Sequence, residues 1–189
     1  MSSHLPFKKI LFYFFFGFIF FLSQPSLVQA NTSGLLWNSG AHVANELQPH
    51  IKFGEWRGRP IDVINVFTSR GSWDSITKPT NIFDDLGYKN YTGILIISQP
   101  MYPQGGNNAT CAKGDYNQYW KNFGTFLQKY NRNGPNTIIR IGWEFNGNFM
   151  YWHSDADPSN FKACWRQVAQ SIRFTAPNVL LDWTVNAHG

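Results

Sequence analysis

Read from Asn31 onward, the chain alternates short apolar runs with stretches of helical period. Ile61 to Phe67 (IDVINVF), Gly93 to Ser98 (GILIIS), Thr137 to Trp143 (TIIRIGW) and Val179 to Val185 (VLLDWTV) are β-branched or apolar runs of strand length, bounded by Gly, Pro or Asn. Leu35-Leu36-Trp37 is the best place for one earlier strand. Between the strands, His42 to Gln48 is compatible with a helix cut by Pro49, and Ser72 to Tyr88 is a mixed segment interrupted by Pro79. Met101 to Gly114, rich in Gly, Asn and Pro, reads as an exposed loop. The clearest helix carries Tyr116, Tyr119, Trp120, Phe123, Phe126, Leu127 and Tyr130 on one face, with Asp115 placed to cap it and Asn133-Gly134-Pro135 to stop it. A second is opened by Asp157-Pro158 and lined by Phe161, Cys164, Trp165, Val168 and Ile172.

Five strands separated by helix-sized segments imply right-handed βαβ units and a parallel sheet. An open doubly wound sheet and a closed (β/α)8 TIM barrel share that rhythm. The open sheet would carry a Gly-rich phosphate loop after its first strand. Gly105-Gly106 is not so placed, which favours the barrel.

The first thirty residues are excluded from this count. Lys8 and Lys9 precede a run of thirteen largely apolar residues from Ile10 to Leu22, then Pro25 and Val28-Gln29-Ala30. This is the layout of a secretory signal peptide cleaved after Ala30, since a membrane span needs about 20 apolar residues. A secreted or periplasmic mature chain of residues 31–189 follows, with no stable membrane anchor. Its formal charge falls from +5 to +3 when Lys8 and Lys9 leave, and no basic run remains to suggest nucleic acid. All 8 Trp lie in the mature part, so some should be core and some are available to line a sugar cleft. Cys111 and Cys164 are the only cysteines, and two cysteines in an exported protein are expected to pair. No His or Cys spacing suggests a metal, and no cofactor is implied.

Function in such a fold sits at the carboxyl ends of strands. Of the three Glu, Glu46 and Glu55 fall in the first helix region, while Glu144 ends a strongly apolar strand. Walled by Trp143, Phe149, Tyr151 or Trp152, its carboxyl would be partly desolvated, which favours the protonated form a general acid needs. A cap or salt bridge is the other reading of the bare pattern. Arg140 shares strand parity with Glu144 and needs a carboxylate or several acceptors. Asn146 and Asn186 end the fourth and fifth strands and suit either sugar hydroxyls or turns. Asn31, Asn90 and Asn108 each begin an N-glycosylation triplet.

The stretch Ile139-Arg140-Ile141-Gly142-Trp143-Glu144-Phe145-Asn146-Gly147, with the aromatics to Trp152, resembles glycoside hydrolase family 26 and its near relatives. The resemblance extends to Gly58-Arg59-Pro60-Ile61-Asp62-Val63, Ser72-Trp73, Asp157-Pro158, Phe161, Trp165-Arg166, Leu181-Asp182-Trp183 and Asn186. It implies a retaining endo-β-glycanase on a (β/α)8 barrel, with Glu144 as acid/base and Arg140, Trp143, Asn146, Tyr151, Trp152 and Asn186 as the substrate-binding set. A β-linked polysaccharide or oligosaccharide is then the expected partner. Family mannanases carry His before the acid/base where this chain has Trp143, so β-mannan and β-glucan both stand as substrate classes. The family's nucleophile is a Glu ending the seventh strand, and no Glu follows Glu144 here. The expectation is therefore a fragment, a partial barrel of strands 1–5 of 8, inactive alone. A carbohydrate-binding remnant without chemistry is the alternative.

Overall fold

The structure, a computed structural model, describes residues 31–187; the expected signal segment lies outside them. Five strands, β1 (Gly40–Ala41), β2 (Val63–Phe67), β3 (Ile94–Gln99), β4 (Thr137–Ile141) and β5 (Leu180–Asp182), form one all-parallel sheet in the order β1-β2-β3-β4-β5. Among them run helices α1 (Leu47–Trp56), α2 (Trp73–Thr77), α3 (Thr80–Asp84), α4 (Asn108–Ala112), α5 (Asn117–Lys129) and α6 (Pro158–Thr175), with a 3-10 turn at Tyr88–Asn90. Strand order follows chain order without a reversal.

Alternation along the strands divides the sheet into two unlike faces. Ile64, Val66, Leu95, Ile97, Ile139 and Ile141 are buried, packed with Trp120, Phe123 and Leu127 of α5 and Phe161, Val168 and Ile172 of α6 in the helical layer. On the other face Val63, Asn65, Ile94, Ile96, Ile138 and Arg140 remain only half-buried. That face is apolar at the amino ends of the strands and, Phe67 apart, polar toward the carboxyl ends.

The three middle strands begin and end within two residues of their expected positions. The first does not. Leu36 and Trp37 are 83% and 65% exposed, and the strand is Gly40–Ala41 instead. The cause is Asp62, whose carboxylate accepts the backbone N–H groups of Ser33 and Ser39, both at 2.8 Å. Those bonds pin residues 33–39 as an irregular segment and deliver Gly40 against Val63. A Cβ on Gly40 would lie 2.3 Å from the Val63 carbonyl oxygen, so only glycine allows this pairing.

Pro49 does not cut α1. It occupies the first turn, where its missing N–H removes no helical bond, and Glu46 becomes the residue preceding the helix. Buried His50 holds that start together. Its Nδ1 donates to the Glu46 carbonyl at 2.8 Å, and its Nε2 accepts from Val43 N–H at 3.1 Å.

The segment Met101–Gly114 is also not an exposed loop. Met101, Tyr102 and Cys111 are buried, and Asn107 caps α4 by accepting from Thr110 N–H at 2.8 Å. Cys111 and Cys164 form a disulfide, Cα atoms 4.8 Å apart, that ties α4 to α6. Asp115 is exposed and does not cap α5, which starts from Tyr116 with no side-chain cap. Asp157 does cap α6, accepting from Asn160 N–H at 3.0 Å with Pro158 first in the helix. Among the described residues no helix is long and apolar enough to cross a membrane.

Candidate functional site at the carboxyl end of β4

β4 stops because the backbone turns left-handed twice, at Gly142 (φ 56°) and again at Glu144 (φ 54°). Glycine takes that conformation freely; glutamate does so at about 1–2 kcal/mol. The surroundings enforce it. Gly142 N–H donates to the Gln99 carbonyl at 2.8 Å on one side, and Glu144 N–H to the Thr184 carbonyl at 3.1 Å on the other. Strain held in this way at a strand end is a mark of functional positions.

After Glu144 the chain folds through three consecutive tight turns. Gly147 N–H bonds the Glu144 carbonyl (2.9 Å), Met150 N–H that of Gly147 (3.1 Å), and His153 N–H that of Met150 (3.0 Å). Ser154 N–H closes the loop onto the Phe145 carbonyl at 2.8 Å. Asn108, in α4, clamps it from outside. Its amide donates to the His153 carbonyl at 3.1 Å and accepts from the Tyr102 hydroxyl at 2.9 Å. The Tyr151 hydroxyl donates to the Tyr102 carbonyl at 2.9 Å. Burial pushes the Tyr151 phenol up to about 12, partly opposed by the nearby Arg70, so it remains a neutral donor.

The expected site residues thus divide by role. Glu144 is half-buried, three residues past the end of β4. Arg140 lies on the open face of the sheet in register with Phe67's row, the cross-strand sequence being Phe67, Ser98, Arg140, Asp182. Its Nε lies 3.8 Å from Asp182 Oδ2, beyond hydrogen-bond length, and that nitrogen is buried without a hydrogen-bond partner. Asp182 also accepts from the Thr184 hydroxyl at 2.5 Å. Asn146 and Asn186 meet directly: the Asn146 amide donates to the Asn186 carbonyl (2.8 Å) and accepts its N–H (2.7 Å). Asn146 therefore latches the end of β4 to the chain leaving β5, and its amide is spent on backbone.

Two residues of the expected substrate-binding set require correction. Trp152 is fully buried, its indole N–H donating to the Trp143 carbonyl at 2.9 Å. Trp143 is almost as buried, packed edge-on between Phe67 (5.1 Å) and Trp152 (4.6 Å). Each has its large apolar surface in the core and none to offer a sugar face. The exposed ring of this loop is Phe149.

The open face brings in residues that the strand reading passed over. Ser98 donates to Asn65 Oδ1 at 2.8 Å, forming a polar pair beside Arg140. His42, just beyond β1, donates from Nδ1 to the Asn65 carbonyl at 2.8 Å and packs its ring edge-on to Phe67 at 5.0 Å. This leaves Nε2 of an exposed imidazole as a free acceptor in the neutral ring. The available signal for Asn65 and Ser98 was a polar side chain interrupting an apolar strand on Arg140's face. His42 gave none, because its strand was sought elsewhere.

An apolar cavity of about 390 Å³ opens between α1 and the start of β2, lined by Leu47, Ile51, Gly54, Ile61, Ile64 and Tyr91. It lies at the amino ends of the strands, away from Glu144. Among the described residues no group of His, Cys, Asp and Glu is gathered to hold a metal ion. No protein-family model matches the chain, and no curated protein matches it significantly.

Proposed function

We propose that the chain is an exported glycoside hydrolase component acting on a β-linked polysaccharide, built from the first five units of a (β/α)8 barrel. The observation that carries this reading is Glu144: a half-buried glutamate held in a left-handed backbone just past the carboxyl end of β4. Two further features support it. A parallel sheet in unreversed order is the arrangement of a barrel wall, whereas a doubly wound sheet reverses its order at the ligand crevice. The resemblance to glycoside hydrolase family 26 falls on the same segment.

In this reading Glu144 donates its proton to the glycosidic oxygen as the bond to the anomeric carbon breaks. The resulting carboxylate then takes a proton from the water that attacks that carbon. Arg140 supplies positive charge on the open face of the sheet, and the Ser98–Asn65 and Asn146–Asn186 bonds keep the floor and rim from shifting. A retaining mechanism also needs a second carboxylate about 5 Å away. In the family resembled, that group ends the seventh strand, so it would come from further βα units.

A binding role without chemistry is favoured by one observation: Asp182, the carboxylate of the neighbouring strand, is already engaged by Arg140 and Thr184. The two readings separate in one assay. The secreted protein recovered from its own host is offered β-mannan and β-glucan, and released reducing ends are measured for wild type and Glu144→Gln. Release by wild type and loss of nearly all of it in the variant supports hydrolysis. Equal release by both sinks the role of Glu144, and retention of polysaccharide without release by either supports binding alone.

A further inference from the structure

The end of the sheet opposite Glu144 holds a buried cation with no anion to answer it. Asn131, left-handed at φ 55° just after α5, turns the chain so that Arg132 N–H donates to the Leu127 carbonyl at 2.8 Å. Asparagine accepts that conformation more readily than most residues. The turn carries the Arg132 side chain against the loop leading into β3, where it is only 5% exposed. There Nη1 donates to the Gly93 carbonyl at 2.9 Å and Nη2 to the Tyr91 carbonyl, while the guanidinium lies 5.5 Å from the centre of the Tyr91 ring. Among the described residues no carboxylate lies within ion-pair distance of it. Burial lowers its pKa from the usual arginine value, opposed by Tyr91. A guanidinium stays charged and has more N–H donors than two carbonyls can take, so neither its charge nor its bonding capacity is met.

Arg132 lines a hollow of about 440 Å³ between the segments leading into β3 and β4. Around it stand Lys89, Asn90, Thr92, Asn131 and Asn136, all exposed, and no acidic side chain lines it. Asp84, the carboxylate of the adjoining hollow, already accepts the Tyr130 hydroxyl at 2.8 Å. We propose that the hollow is a binding site for a phosphate or sulfate group, with Arg132 as its floor and Lys89 as the second cation. A tetrahedral oxyanion presents acceptors in several directions. It suits a set in which two cations are joined by amides and a hydroxyl from two chain segments, where a flat carboxylate would use one fork alone. The site is independent of the glycoside reading, because none of these residues belongs to the Glu144 site. A purely structural Arg132, clipping the end of α5 to the loop before β3, would need neither Lys89 nor an anion.

The test measures binding of inorganic phosphate and of inorganic sulfate by calorimetry, with chloride at matched ionic strength as the control, and a thermal melt of each variant in each salt. The protein is produced without N-glycans, since Asn90 lines the hollow. Wild type should bind at least one of the two anions at a single site and melt higher in it than in chloride. Lys89→Gln, an exposed change, should melt as wild type does in chloride and bind about two- to fivefold more weakly. Arg132→Lys keeps the charge but loses the planar fork, and should bind at least about tenfold more weakly. A lower melt of Arg132→Lys in chloride does not spoil the test, because Lys89→Gln probes the hollow without touching the core. Preference for phosphate assigns the ligand as a phosphate ester, and preference for sulfate as a sulfate ester. No saturable binding of either anion by wild type, or binding that Lys89→Gln or Arg132→Lys leaves unchanged, overturns the site.

Discussion

Glu144 and Thr184 are joined through their backbones, the Glu144 N–H donating to the Thr184 carbonyl at 3.1 Å. The bond extends the β4–β5 pairing beyond the last ladder pair, Arg140 with Asp182, and it holds a glutamate where a glycine would be at ease. Position is secured at the expense of backbone strain.

Replacing Glu144 by glycine should therefore stabilise the fold while abolishing any hydrolysis. The gain from relieving the left-handed conformation should be of order 1 kcal/mol, reduced by the extra freedom glycine gives the unfolded chain. Urea denaturation of wild type, Glu144→Gly and Glu144→Ala checks it. Alanine, which keeps the strain, should not be stabilising; a destabilised glycine variant would contradict the argument.

Stability should fall as pH drops below about 6.5, the ordinary histidine value, because His50 is buried with its Nε2 accepting from Val43. Burial lowers its pKa, opposed by the Glu46 carbonyl and assisted by His42. A histidine with a lowered folded pKa takes up its proton more readily in the unfolded chain. Its contribution is intact above the unfolded pKa and is lost as pH falls through the folded one. Melting temperatures between pH 8 and pH 5 should slope downward in wild type and slope less in His50→Gln.

Asp62 behaves in the same direction at lower pH. Burial acts to raise its pKa but is outweighed by the Ser33 and Ser39 hydrogen bonds and by Arg57, leaving it below the usual carboxylate value. Its stabilisation is present above an unfolded pKa near 4 and disappears as pH falls through the folded value. Asp62→Asn should cost about 1.5–3 kcal/mol at neutral pH, the range for hydrogen bonds to a charged group, and remove that acid-dependent loss. Protease cleavage within residues 33–39 should accelerate in the same variant.

Breaking the disulfide should loosen the Glu144 loop as well as the helices. Cys111 and Cys164 are 53 residues apart in sequence, and a closure of that span is worth about 2–4 kcal/mol. α4, which the bridge holds to α6, also carries Asn108 and its bond to His153. The paired Cys111→Ser, Cys164→Ser variant should melt lower and show faster amide exchange at residues 147–154 than at β3. Uniform exchange across both segments would argue against that linkage.

Much of this architecture can be read before any coordinates, and the exceptions share a cause. β2, β3 and β4 declare themselves because each must bury a continuous helix-facing row, which forces β-branched and apolar residues in sequence. β1 is two residues long and exists because Asp62, far along the chain, ties Ser33 and Ser39; nothing local to Gly40–Ala41 signals it. Glu144 is legible from its place at a strand end, but its left-handed backbone depends on Thr184 and Gln99, partners remote in sequence. Trp152 misleads for a different reason. An indole is at home both in a core and on a binding surface, and only the Trp143 carbonyl that satisfies its N–H decides between them.

Asn108 carries a consequence of another kind. Its amide nitrogen, which an oligosaccharyltransferase would need for the triplet Asn108-Ala109-Thr110, is the atom that grips the His153 carbonyl in the folded protein. In a host that glycosylates nascent chains, folding and the transferase compete for one nitrogen. Whichever arrives first excludes the other, so occupancy at Asn108 would record how quickly α4 docks during synthesis. Asn90, exposed at the end of its 3-10 turn, is under no such race.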